Sequence, residues 1–143
     1  MKLQETKMAH VLHFDQNAGA IFVRYGECLD KSIIFSAVKD VNALPGLWPD
    51  IPVVVDFRNC VNIDLSSDDT RDIANYMALH KAKRGNFRIA QLVSTKLMYG
   101  ISRMTTPTIS GDVAQIRTFE DVAPALEWVG LPADYKLPFI SAF

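Results

Sequence analysis

Pro52-Val53-Val54-Val55-Asp56-Phe57, followed after a short connector by Ser66-Ser67-Asp68-Asp69, is the stretch that decides the fold. Three consecutive β-branched residues make a continuous apolar run. Such a run suits a strand covered on both faces, as in an open α/β sheet. Pro52 has no N–H and fits the first residue of that strand. Asp56 places a charge at the strand's carboxyl end, the edge where ligands and partners gather in open α/β sheets. Ser66 fits an N-cap, and Asp69 three residues on completes a box-like cap. Asp68, Asp69 and Asp72 fall in the first turns of the helix; His80, Lys81, Lys83 and Arg84 fall at its end. That polarity matches the helix dipole, at about 0.3–1 kcal/mol per well-placed charge. The charge pattern therefore reads as helix stabilisation. The helix is expected to run on to Gly85-Asn86, with Ile73, Ala74, Met77 and Ala78 as its buried stripe.

Upstream, residues 8–15 read as a strand, Asp15 to Gly19 as a turn, and Ala20 to Tyr25 as a second strand in which apolar residues alternate. The short gap predicts a β-hairpin. Asp30 is placed to cap a helix reaching about Leu44, with Ile33, Ile34, Ala37, Val38, Val41 and Leu44 on one face; Pro45-Gly46 stops it. Downstream, Phe87 to Ser94 is a strand expected beside the Val53 run and parallel to it. A helix over residues 95–106, a strand over 113–119 and a helix over 122–129 complete the pattern. The tail from Leu131 to Phe143 keeps Tyr135, Leu137, Phe139, Ile140 and Phe143. It is too apolar for a disordered segment, so it is expected to dock on its own domain or on a second subunit. The fold class is α/β: one domain over residues 1–143, with a five-stranded mixed sheet, a leading hairpin and about four helices.

Composition removes several function classes. A length of 143 residues suits one domain with a core. A net charge of −1 lacks the basic excess of a nucleic-acid binder. No apolar run approaches the roughly 20 residues of a membrane span, and the first residues have no signal-peptide core. Cys28 and Cys60 are isolated and form no C-x-x-C pair, so a cytoplasmic, reducing setting is expected. No phosphate-binding loop, nucleophile elbow or zinc-protease motif is present. His10 and His13 lie three apart on a strand and point to opposite faces, a poor chelate. No catalytic residue, metal or cofactor is assigned.

The strand ending Asp56-Phe57-Arg58 before a serine-capped helix, then Phe87-Arg88-Ile89-Ala90-Gln91-Leu92-Val93-Ser94 with Tyr99-Gly100-Ile101-Ser102-Arg103-Met104, and the ending Ile116-Arg117-Thr118-Phe119-Glu120-Asp121 with Ala125-Leu126-Glu127-Trp128-Val129, together resemble the SpoIIAA-like family. These are small α/β proteins related to STAS domains. The resemblance covers about residues 8–130. It implies the fold and little chemistry, although pockets in the family invite comparison with lipid-carrying domains. In STAS-type antagonists a serine opening the equivalent helix is phosphorylated. Ser66 and Ser67 are the nearest candidates here, with a one- or two-residue shift, because Leu65 stands at the directly aligned place.

Two functions follow as expectations. One is a non-enzymatic regulatory module that contacts a protein partner through the strand-end edge at Asp56 and Arg58. The other is a carrier of a small apolar ligand, with Trp48, Phe57, Met98, Tyr99 and Met104 lining a pocket between helices and sheet. A homodimer is a further expectation, since the tail and any uncovered edge strand can pair.

Overall fold

The computed structural model describes residues 9–94 and 114–138. β1 (His10–Asp15) and β2 (Ala20–Tyr25) form the expected antiparallel hairpin, with Asp15 opposite Ala20. Between them Gly19 takes φ +72°, and the Asp15 side chain accepts the Ala18 N–H at 3.0 Å. A short β3 (Cys28–Asp30) leads into α1 (Lys31–Asn42), where the Asp30 carboxylate accepts the Ile33 N–H at 2.9 Å as the N-cap.

β4 (Val53–Asp56) is the Val53 run, and it lies at the centre of the sheet. β5 (Asn62–Asp64) pairs in parallel with β3 to make a separate two-stranded sheet. The capping box is formed in full at the start of α2 (Ser67–Leu79): Ser66 Oγ accepts the Asp69 N–H, and Asp69 accepts the Ser66 N–H, each at 3.0 Å.

The expected unbroken helix from Ser66 to Arg84 is corrected. It breaks at His80, and α3 (Lys81–Arg84) follows. The His80 N–H bonds the Met77 carbonyl, three residues back, while its ring Nδ1 sits 3.1 Å from the Tyr76 carbonyl, four back. The side chain thus takes the acceptor that an α-helical N–H would use, and the turn tightens.

β6 (Arg88–Leu92), β7 (Gln115–Phe119) and α4 (Val122–Trp128) complete the described elements. The helix expected over residues 95–106 lies outside the described residues, as do Met98, Tyr99 and Met104. The main sheet has the order β1-β2-β4-β6-β7. All its neighbours except the hairpin are parallel, with Val53 beside Ile21 on one side and Ile89 on the other.

Side-chain alternation sends the strands' residues into two cores. Ile21, Val23, Val53 and Ile89 face α1, α2 and α3. Ala20, Phe22, Val54, Ala90 and Leu92 face α4. On that second face Leu131 is buried, and Tyr135 stacks on Phe22 with ring centres 5.3 Å apart and planes within 5°. Its hydroxyl donates to Asp15 Oδ2 at 2.5 Å. The described part of the tail therefore packs on the hairpin of its own domain. Phe22, Leu126, Leu131, Tyr135 and Leu137 belong to one apolar layer there, which accounts for the apolar composition of the described tail.

Candidate functional site

Two places in the molecule combine polar chemistry with access. The first is a partly open cavity of about 70 Å³ between α1, the α2–α3 break and one face of the sheet. Its walls are apolar side chains from the sheet (Val23, Val53, Ile89) and from the helices (Val38, Val41, Met77). One end is polar, made by Asn42, His80 and Arg84.

Periodicity puts Arg84 there. Ile73, Met77, His80 and Arg84 follow one another at spacings of four, three and four, so the buried stripe of α2 runs on through the break into the arginine. Arg84 is 5% exposed. Its guanidinium lies over the Phe87 ring, 4.0 Å from the centroid, and Nη1 donates to Asn42 Oδ1 at 3.3 Å. Nε and Nη2 are buried and make no hydrogen bond among the described residues. Burial, with no carboxylate to offset it, pushes the group down to about 10. Lys83 Nζ donates to the Asn42 carbonyl, so both oxygens of the last residue of α1 are held by α3 cations.

The second place is the carboxyl end of β2 and β4. Arg24 and Asp56 are register partners on adjacent parallel strands, and Arg58 lies two residues beyond Asp56. The Asp56 side chain is fully buried. Its Oδ1 accepts Arg58 Nε at 2.9 Å and the Arg58 backbone N–H at 2.9 Å. Its Oδ2 accepts Arg58 Nη2 at 2.8 Å, with Arg24 Nη2 at 2.9 Å and Nε at 3.0 Å. Burial alone would raise this carboxyl's pKa. The hydrogen bonds and charge of Arg58, with the hydrogen bonds of Arg24, outweigh it and hold the group below its usual range. Two guanidiniums thus converge on one buried carboxylate at the strand-end edge. The neighbouring Cys60 thiol is pushed up to about 12 by burial, with Asp56 and Cys28 adding to it, so it forms no thiolate at neutral pH.

Of the residues expected to share a pocket, the two that are described, Trp48 and Phe57, lie at opposite ends of the sheet. Trp48 is 42% exposed and packs on Phe14, ring centres 5.6 Å apart, beside the hairpin at the amino ends of the parallel strands. Phe57 is buried at the carboxyl ends, stacked on Tyr25 at 5.3 Å. Neither lines the cavity. Ser66 and Ser67 are exposed, and Ser66 Oγ is engaged in the capping box. Sequence reasoning did not single out Arg24 or Asn42 and took Arg84 as a helix-end charge; their places in the period-two and period-3.6 patterns point inward. His10 and His13 face opposite sides of β1: His10 Nε2 lies 2.9 Å from Asp40 of α1, and the His13 ring is 6.4 Å from that of Phe22. No cluster of three metal-ligating side chains occurs, and no helix is long and apolar enough to cross a membrane, both among the described residues.

No family model matches the chain, and neither does any curated protein. Among solved structures it is similar to an uncharacterised protein of the DUF3478 family from Shewanella loihica PV-4, itself described as having a SpoIIAA-like fold. The two superpose with a TM-score of 0.56 at 20% sequence identity, over 85% of this chain and 92% of that one. The element order, the mixed five-stranded sheet and this superposition agree: the chain has a SpoIIAA-like fold.

Proposed function

We propose that this protein is a non-enzymatic binding module that carries a small apolar molecule between α1, the α2–α3 break and the sheet. One observation carries the reading: a partly open, apolar-walled cavity with the buried Arg84 guanidinium among its lining residues. Concave apolar sites with a few convergent polar groups are the usual form of small-molecule pockets. The test is native mass spectrometry on protein purified from its own host, followed by denaturing mass on the same sample. The expected result is a non-covalent added mass that disappears on denaturation. A bare chain from every preparation would sink the carrier reading.

A second reading, contact with a protein partner, is favoured by the strand-end edge, where Arg58 is about one-third exposed. Under it, Ser66→Asp changes partner capture without unfolding the domain, because Asp is itself a good N-cap. Equal recovery of the partner by wild type and variant would count against a switch at that serine. A phosphate there would gain from the helix N-terminus but stand beside Asp64, Asp68 and Asp69, which repel it.

A further inference from the structure

Arg84 carries the buried side-chain nitrogens that lack a hydrogen-bond partner among the described residues. It is 5% exposed, and the two nitrogens Nε and Nη2 have no hydrogen-bond partner. A buried charge is normally paired, and a buried donor is normally satisfied. Asp50 is near it in space, its N–H donating to the Arg84 carbonyl, but leaves Nε and Nη2 unpaired among the described residues. Asp50 Oδ1 accepts the Asn86 N–H at 2.8 Å, and no Asp or Glu lines the cavity. Lys83, the other cation at this corner, is spent on the Asn42 carbonyl. His80 Nδ1 is occupied by the Tyr76 carbonyl.

The orphaned atoms are not a random pair. Nε and Nη2 form the side-on fork of a guanidinium, whose two parallel N–H bonds match the two oxygens of a carboxylate. The molecule uses the same fork elsewhere: Arg58 holds Asp56 through Nε at 2.9 Å and Nη2 at 2.8 Å. Arg84 is a lining residue of the apolar cavity, with its fork nitrogens closed off from solvent, Nη1 already fixed on Asn42 and the plane steadied over Phe87.

We infer that Arg84 anchors the ligand's head group and that the ligand is an apolar monocarboxylate. This rests on the carrier reading and names its substrate class. One fork satisfies the two oxygens of one carboxylate, whereas a phosphate carries further oxygens that need donors of their own. The size also bounds the class. The cavity of about 70 Å³ is roughly half the ~150 Å³ engineered cavity that admits benzene. A compact body of a few carbons fits inside, and a longer chain must leave through the open side.

The test is an ¹⁵N NMR titration with isobutyrate and, separately, with isobutyramide, which has the same shape and no charge. Isobutyrate is expected to shift the Arg84 Nε–Hε signal and the amides of Val41, Val53 and Ile89, and to bind at least about tenfold more tightly than the amide, the ratio of one lost charge-assisted pair. Arg84→Met is expected to abolish that preference, with Arg84→Gln as the replacement if the first variant does not fold. Equal binding of acid and amide would overturn the head-group assignment and leave the carrier reading standing. So would a preference that survives the loss of Arg84. If neither compound moves these signals, the assignment falls, and the native-mass experiment decides separately whether anything is carried.

Discussion

Asp56→Asn is expected to destabilise the fold by about 3–5 kcal/mol, the largest loss of any single polar substitution here. The Asp56 side chain is fully buried, and Arg24, on the strand beside it, is only 14% exposed. Removing the negative charge leaves two guanidiniums facing each other across a neutral amide at the end of the central strand. The amide nitrogen also places donors where Oδ1 accepted two hydrogen bonds or Oδ2 accepted three, from Arg24 and Arg58. Urea unfolding of the variant checks the size, and an unchanged midpoint would refute the role given to the cluster.

The same group sets an acid limit. Its native pKa lies below the ordinary 3.8, so the unfolded chain takes up that proton first as pH falls. The stabilisation from the cluster is complete above about pH 5 and is lost as pH drops through the native value. Wild type should therefore lose stability steeply in that window, and Asp56→Asn should lose less of what remains.

Arg84→Met is expected to move the other way and stabilise the protein, by about 2 kcal/mol. Two buried donors without partners each carry a desolvation penalty of about 1–3 kcal/mol, larger for a charged group. Against this stand the Nη1 bond to Asn42 and the stacking on Phe87, the latter worth about 0.5–2 kcal/mol. A methionine keeps a sulfur–aromatic contact with Phe87 and fits the apolar walls. The gain should appear as a higher urea midpoint with an unchanged slope. A variant that is both more stable and unable to discriminate acid from amide would mark Arg84 as a residue retained for binding at the expense of stability. A destabilised variant would mean that the guanidinium is satisfied in solution.

Much of this architecture is legible from residues alone. The Val53-Val54-Val55 run declares a strand buried on both faces, and Ser66 with Asp69 declares the helix start, because both signals are local and chemically specific. The hairpin follows from alternation around a turn cluster. What escapes is set by tertiary context. Cys28–Asp30 and Asn62–Asp64 are three-residue strands, too short for periodicity to register, and each is a strand only because the other lies beside it. The break at His80 comes from one side chain competing for one carbonyl. The site was hidden differently. Arg84 sits at the end of a helix where a cation satisfies the dipole, so the helix-end reading is sufficient until the stripe Ile73, Met77, His80, Arg84 is followed inward. Trp48 and Phe57 share an aromatic character that suggested one pocket, yet β4 stands between them and delivers them to opposite ends of the sheet.

A crystal structure of the protein purified from its own host, without removal of bound molecules, tests the central claim most directly. The account predicts density for an apolar molecule between α1 and the sheet, with two oxygens within hydrogen-bond distance of Arg84 Nε and Nη2. Ordered waters on those two nitrogens, in a cavity holding nothing else, would contradict it.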